Sequence, residues 1–205
     1  MPPFIRLAIV LATVLAMVPA GAAAQVELPV IPEPVPVDLQ ARTTAFLVLD
    51  IQQSNCPRRP ICLTQLPNMA TLLERARAAN LFIVYTGTPS GILPEVAPRE
   101  EDLIPVTSGG DKFFNSDLDQ ILKSAGIQTL LIVGTTAVNA VVNTAFAANE
   151  RGYTVAVAED GISADNDFQV FYARYHLLLQ NLDNTPLRTR AVTLTRTDLV
   201  TFLTD

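Results

Sequence analysis

The stretch TLLIVGTTAVNAVVNTAFAANERGYTVAVA, residues 129 to 158, decides the fold. Leu130 to Val133 form a short apolar run ending in Gly134, and Ala140 to Asn149 then places Val141, Ala145 and Ala148 at helical spacing. Arg151-Gly152 closes that helix, and Tyr153 to Ala158 is a second apolar run. Strand, crossing loop, helix and strand make a βαβ unit, whose right-handed crossover requires a parallel sheet with helices on both faces. In such sheets ligands bind outside the carboxyl ends of the strands, so Gly134 to Ala140 is the first place to look for chemistry.

Toward the amino terminus the same grammar repeats. Thr44 to Ile51, TAFLVLDI, reads as a buried strand with Asp50 at its carboxyl end, where an acid either caps the following turn or serves an active site. Both cysteines follow, in Cys56-Pro-Arg-Arg-Pro-Ile-Cys62. In an exported chain they form a disulfide; the alternative makes Cys56 a reactive thiol near Asp50. Pro67 is expected to open a helix whose stripe is Met69, Leu72, Leu73 and Ala76, followed by the strand Leu81 to Thr86.

A long Pro-rich loop from Gly87 to Gly110 comes next, with an acidic run, Glu100-Glu101-Asp102, that reads as a solvated face. Lys112 then stands between Gly109-Gly110-Asp111 and Phe113-Phe114. It is either a surface lysine or, with a carboxylate nearby, a site residue. Ser116 or Asp117 caps a helix from Leu118 to Ser124.

On the carboxyl side, a helix from about Asp167 to Asn181 should bury Phe168, Phe171, Tyr175, Leu178 and Leu179. The single histidine, His176, lies on it and lacks the neighbours a zinc site needs. Ala191 to Thr195 is a sixth, short strand and Leu199 to Leu203 a last helical turn. These elements predict a three-layer α/β/α sandwich around a six-stranded, mostly parallel, Rossmann-like sheet.

The 205 residues suffice for one sizeable core, and 49% hydrophobic with 17% charged residues fits a globular domain plus an apolar leader. Residues 1 to 24 supply Arg6, an apolar run from Leu7 to Val18 and the small residues Ala22-Ala23-Ala24. That pattern is a secretory signal peptide, too short to span a bilayer comfortably; an uncleaved anchor is the alternative. Periplasmic or secreted localisation follows, with no membrane span after cleavage. Pro29, Pro32, Pro34 and Pro36 make residues 25 to 42 an extended arm without a sheet ladder, so that the domain occupies 43 to 205. A net charge of −6 and no basic cluster beyond Arg58-Arg59 argue against nucleic acid as a partner.

Three motifs, in matching order, resemble the isochorismatase-like superfamily, also called the cysteine hydrolases. They are Asp50-Ile51-Gln52 at the end of the first strand, Lys112 ahead of Phe114 and Leu118, and Gly134, Val141, Thr144, Ala145, Ala148, Gly152 and Tyr153 in the central unit. The resemblance covers roughly residues 43 to 200 and implies Asp50 and Lys112 as catalytic residues. It places the family's nucleophilic cysteine at Ala140, which has no lone pair to offer.

Isochorismatases proper also lack a thiol there, and their vinyl-ether cleavage needs an acid and a water rather than a nucleophilic side chain. The resemblance further implies a cis peptide just after the glycine, with the backbone amides of Thr136 and Ala140 facing an oxyanion. Gln52 and Asn139 are polar pocket candidates or turn hydrogen bonders. The family's metal-binding D-x-H is replaced by Thr86-Gly87-Thr88-Pro89, so neither metal nor other cofactor is expected. The function implied is that of an exported hydrolase of a small molecule, a homo-oligomer like other members. Two alternatives remain: a catalytically inactive small-molecule-binding or partner-binding protein, and an enzyme with Cys56 as a relocated nucleophile.

Overall fold

A computed structural model describes residues 27–179, 182–188 and 190–204. The expected signal peptide lies outside the described residues. Among the described residues no helix is long and apolar enough to cross a membrane.

Five strands form one wholly parallel sheet in the order β3-β2-β4-β5-β6. They are β2 (Thr44–Leu49), β3 (Phe82–Thr86), β4 (Thr129–Thr135), β5 (Thr154–Ser163) and β6 (Val192–Thr195). Every residue of β2 is buried, as a strand covered on both faces demands. The two faces sort by alternation. Leu47, Leu49, Leu130, Ile132, Val155 and Val157 meet α2 (Leu118–Ser124), α3 (Val142–Glu150) and α4 (Asp167–Leu177). Phe46, Val48, Leu131, Val133, Ala156 and Ala158 meet α1 (Pro60–Ala78) on the other side. From β2 the chain steps outward to β3 and then back across to β4, so the strand order reverses between β2 and β4. That reversal opens the crevice that ligands use in doubly wound sheets.

The structure corrects five expectations. The main sheet has five strands, not six, and a separate parallel pair joins β1 (Val37–Gln40) to β7 (Val200–Leu203). The arm therefore does enter a ladder: its prolines end at Pro36, and the next four residues are free to pair. The expected last helical turn is a 3-10 turn, Thr197–Leu199, that leads into β7. Helix α1 starts at Pro60, with Pro67 inside it. Pro60 takes the first-turn position where a missing N–H costs nothing, and Pro67 is carried because the helix is anchored by Leu66, Met69, Leu72 and Leu73 on the sheet. Finally, α4 buries Ala173 and Leu177, followed by Leu178, while Phe168 and Leu179 lie exposed. Asn166 caps this helix by accepting from the Gln169 amide at 3.0 Å.

Candidate functional site at the strand-order reversal

Asp50 follows the last residue of β2 with φ of +54°, a left-handed conformation that aspartate tolerates better than most residues. Leu49 pairs in register with Thr86, and the Thr86 hydroxyl both accepts from the Asp50 amide at 3.2 Å and donates to Asp50 Oδ1 at 2.7 Å. The other oxygen, Oδ2, accepts from Lys112 Nζ at 2.7 Å. The pair is enclosed, with side chains 6% exposed for Lys112 and 19% for Asp50.

Lys112 is held along its whole length. Its ammonium also donates to the Gly109 carbonyl at 2.9 Å, and its carbonyl accepts from Ser116 Oγ at 2.7 Å. Its amide donates to Thr144 Oγ1 at 3.2 Å, and that hydroxyl donates to the Gly110 carbonyl at 3.2 Å. Thr144 lies in α3, one turn beyond Ala140, so the lysine loop is fastened to the helix that follows β4. Gly110 makes the fit possible: a Cβ there would fall 2.0 Å from Asn139 Oδ1.

The loop after β4 is built to be close and irregular. Gly134, at φ +151°, pairs with Leu49, and a Cβ on it would stand 2.5 Å from the Leu49 carbonyl oxygen. The Thr135–Thr136 peptide is cis, at the place the resemblance implied. A single π-helical turn, Ala137–Val141, follows, in which the Thr136 carbonyl accepts from the amides of Asn139 (3.1 Å) and Val141 (3.2 Å). Ala140, buried, sits in this turn.

Of the residues expected at the site, Asp50 and Lys112 are in direct contact, and Thr136 and Ala140 follow the neighbouring strand end. Gln52 packs against Gly87, with Nε2 3.4 Å from both the carbonyl and the hydroxyl of Thr88. Asn139 accepts from Asn143 Nδ2 at 2.8 Å and backs Gly110. Both are thus engaged in fastening loops. Cys56 and Cys62 form a disulfide, so Cys56 offers no free thiol in this state. His176 contacts the Tyr172 hydroxyl at 3.0 Å on α4. Sequence reading gave no role to the hydroxyl of Thr86 or to that of Thr144, which it named only as a motif position; their signal is a hydroxyl placed at a strand end and one turn into the helix that borders the crevice.

These features define a doubly wound α/β protein with its polar site where the strand order reverses. The chain belongs to the isochorismatase family, whose Isochorismatase domain profile matches residues 44–178. It is 33% identical over 110 residues to a secreted isochorismatase effector of Verticillium dahliae, covering 47% of this chain and 58% of that protein. It is 27% identical to an isochorismatase family protein of Escherichia coli O157:H7, over 62% of this chain and 84% of the other. Among solved structures, an isochorismatase family protein of Desulfovibrio vulgaris shares the fold with a TM-score of 0.67 at 20% identity, covering 77% of this chain and 95% of that one.

Proposed function

We propose that this chain is an exported hydrolase that cleaves a small molecule without a cysteine nucleophile, with Asp50 as general acid/base and Lys112 as its charge partner. The observation that carries this reading is the enclosed contact between Asp50 Oδ2 and Lys112 Nζ at 2.7 Å. By the motif resemblance the position of the family's cysteine is Ala140, whose side chain offers no atom on which an acyl-enzyme could form. Vinyl-ether cleavage has no such need. For that step Asp50 takes up a proton in the substrate complex and delivers it to the terminal vinyl carbon; water adds to the resulting oxocarbenium carbon and returns a proton to the Asp50 carboxylate, and the hemiketal collapses to a ketone and an alcohol. Giving up that proton leaves a carboxylate facing an ammonium, and this attraction, stronger in the transition state than before it, lowers the barrier. The backbone amides of Thr136 and Ala140 are assigned to the substrate oxygen.

Export is supported by the Cys56–Cys62 disulfide, which persists in oxidising compartments, and by the secreted relative. A homo-oligomer is supported by the exposed aliphatic and aromatic side chains of and beside α4, Phe168, Tyr172 and Leu179.

A panel of vinyl ethers, amides and ureido acids tests the reading. Turnover of one of them is expected, with Asp50→Asn lowering it by roughly 10²- to 10⁴-fold while binding persists. Full activity in that variant removes Asp50 from the mechanism. Tight binding without turnover of any compound favours a catalytically inactive binding protein, the reading that Ala140 supports.

A further inference from the structure

Several hydroxyls are buried in the main sheet, and they are not alike. Thr44, Ser163 and Thr195 each bury a hydroxyl oxygen that has no hydrogen-bond partner among the described residues, and Thr135 Oγ1 donates to the Ser163 carbonyl at 3.3 Å. Thr86, fully buried at the end of β3, spends its hydroxyl on one residue. Its oxygen accepts from the Asp50 amide at 3.2 Å, and its hydrogen goes to Asp50 Oδ1 at 2.7 Å. Register creates the meeting: Leu49 pairs with Thr86, so the amide and carboxylate of the next residue arrive beside the hydroxyl. Alternation puts Thr86 on the face of Val84, which packs with Phe113, the neighbour of Lys112. The rest of β3 before it is Phe82, Ile83, Val84 and Tyr85, and a valine at position 86 would suit such a strand as well as a threonine does.

A hydroxyl carries a single hydrogen and two acceptor sites. Because the Asp50 amide donates into the Thr86 oxygen, the hydrogen of Thr86 is left to point at Oδ1, and each bond orients the other. The carboxylate is thereby gripped at both oxygens, Oδ1 by Thr86 and Oδ2 by Lys112, each at 2.7 Å. One grip lets a carboxylate swivel about the bonded oxygen; two set its plane. Asp50 needs that support, since it stands beyond the end of β2 at φ +54°, with part of its side chain open to solvent. A hydrogen bond to an ionised oxygen is shorter and stronger than one to a neutral group, so the grip of Thr86 tightens as the carboxyl gives up a proton. A donor already in place supplies this without reorganising during the reaction.

We propose that Thr86 is a positioning residue whose hydroxyl fixes the plane of the Asp50 carboxylate against the end of β3 and strengthens its hold as negative charge develops there. Thr86 itself forms no bond to substrate. Its effect on rate rests on Asp50 being the acid/base proposed above, whereas its effect on the carboxylate is read without turnover.

Two pairs of proteins isolate the hydroxyl. Wild type and Thr86→Val share a branched side chain, Thr86→Ser and Thr86→Ala a truncated one, and one member of each pair lacks the oxygen. Crystal structures of the four are compared first. In Thr86→Val a methyl group replaces the hydroxyl that stands 2.7 Å from Oδ1. Carbon and oxygen meet at roughly 3.3–3.6 Å, so the carboxylate is expected to turn away, while in Thr86→Ser it keeps its wild-type plane. On the vinyl ether, amide or ureido acid that the panel shows to be turned over, kcat is expected to fall about 10- to 100-fold in Thr86→Val and Thr86→Ala, with KM changed less than about twofold. Thr86→Ser should keep at least about a third of the wild-type rate. Urea unfolding midpoints are recorded alongside, because a merely structural threonine would make activity follow stability and side-chain size instead of the oxygen.

A carboxylate that holds its wild-type plane in both Thr86→Val and Thr86→Ala overturns the proposal, as does a wild-type rate in Thr86→Val or a Thr86→Ser no faster than Thr86→Ala. Where Thr86→Val fails to fold, Thr86→Ser against Thr86→Ala decides by itself. Asp50→Asn separates the two readings. Full turnover in that variant sinks the acid/base role and leaves the turned carboxylate of Thr86→Val as evidence for positioning. A carboxylate unmoved in Thr86→Val, in a protein whose turnover Asp50→Asn abolishes, does the reverse. If no compound of the panel is turned over, the four structures decide.

Discussion

Beside the edge strand β3, Arg77 meets Asp102 at 2.9 Å with side chains 9% and 4% exposed; in the crevice Lys112 meets Asp50 at 2.7 Å with side chains 6% and 19% exposed. The first pair is closed on itself. Arg77 Nη2 also reaches the Tyr85 hydroxyl and the Ala97 carbonyl, Nη1 reaches Glu74, and Asp102 accepts a further bond from the Arg99 amide. Burial pushes the Tyr85 phenol far above its usual range, so it stays a neutral partner. The second pair sits on a left-handed residue, next to a glycine contact and a cis peptide, and part of its carboxylate still meets solvent. One pair fixes a long loop to α1; the other is fixed by its surroundings and keeps one edge of its carboxylate open to solvent. Charge chemistry alone does not distinguish them, whereas position relative to the strand-order reversal does.

That contrast can be broken most directly by removing each cation. Arg77→Met leaves Asp102 buried and unpaired and is expected to cost about 3–5 kcal/mol in urea unfolding. Lys112→Met should cost less, about 1–3 kcal/mol, because Asp50 keeps Thr86 and some water, yet it should stop turnover. Equal losses of stability would show that the two pairs serve alike. Gly134→Ala drives a Cβ against the Leu49 carbonyl at a φ of +151° and should lower stability by about 1–3 kcal/mol, read from the same unfolding curves. Replacing Cys56 and Cys62 by serine removes a ring of sequence separation 6, with an expected loss of about 2 kcal/mol by thermal unfolding.

The smallest effect concerns Glu159, midway along β5. Burial pushes its carboxyl above the ordinary 4.5, against the opposing pull of Arg174 at 2.6 Å. A raised folded-state value means that its contribution to stability is fully present below the unfolded value and is lost as pH rises through the folded one. A carbon-detected titration should place Glu159 above the exposed glutamates, and Arg174→Met should move it higher still. A Glu159 that titrates with the surface carboxylates would show that the middle of β5 is hydrated there.

The parallel sheet was legible because its signals are local: apolar runs bounded by glycine and a helix of regular spacing between two of them. The meeting of Asp50 with Lys112 was legible for a different reason, through three motifs in matching order. What escaped is non-local or overridden by tertiary packing. Nothing near Val37 announces a partner at Val200, since four-residue strands carry little pattern of their own. Pro67 looked like a helix start because a proline usually is one, and the buried stripe on both sides of it carried the helix through. Phe168 looked buried by spacing, yet the sheet takes the Ala173 and Leu177 side of α4. Thr86 bears no motif and Thr144 is only one position of the central one; the register of β3 against β2 and the docking of the lysine loop give them their roles.

The β1–β7 pair has a consequence in time as well as in space. Val37 and Leu39 are buried beside Val200, and Arg75 on α1 donates to the carbonyls of Thr197 and Val200. During synthesis, which runs from the amino end, residues 37 to 40 have no hydrogen-bonding mate until residues 200 to 203 have been made. Until then the early segment waits as a loose thread, open to chaperones or proteases, and a stretch made about 160 residues later is the one that tucks it in.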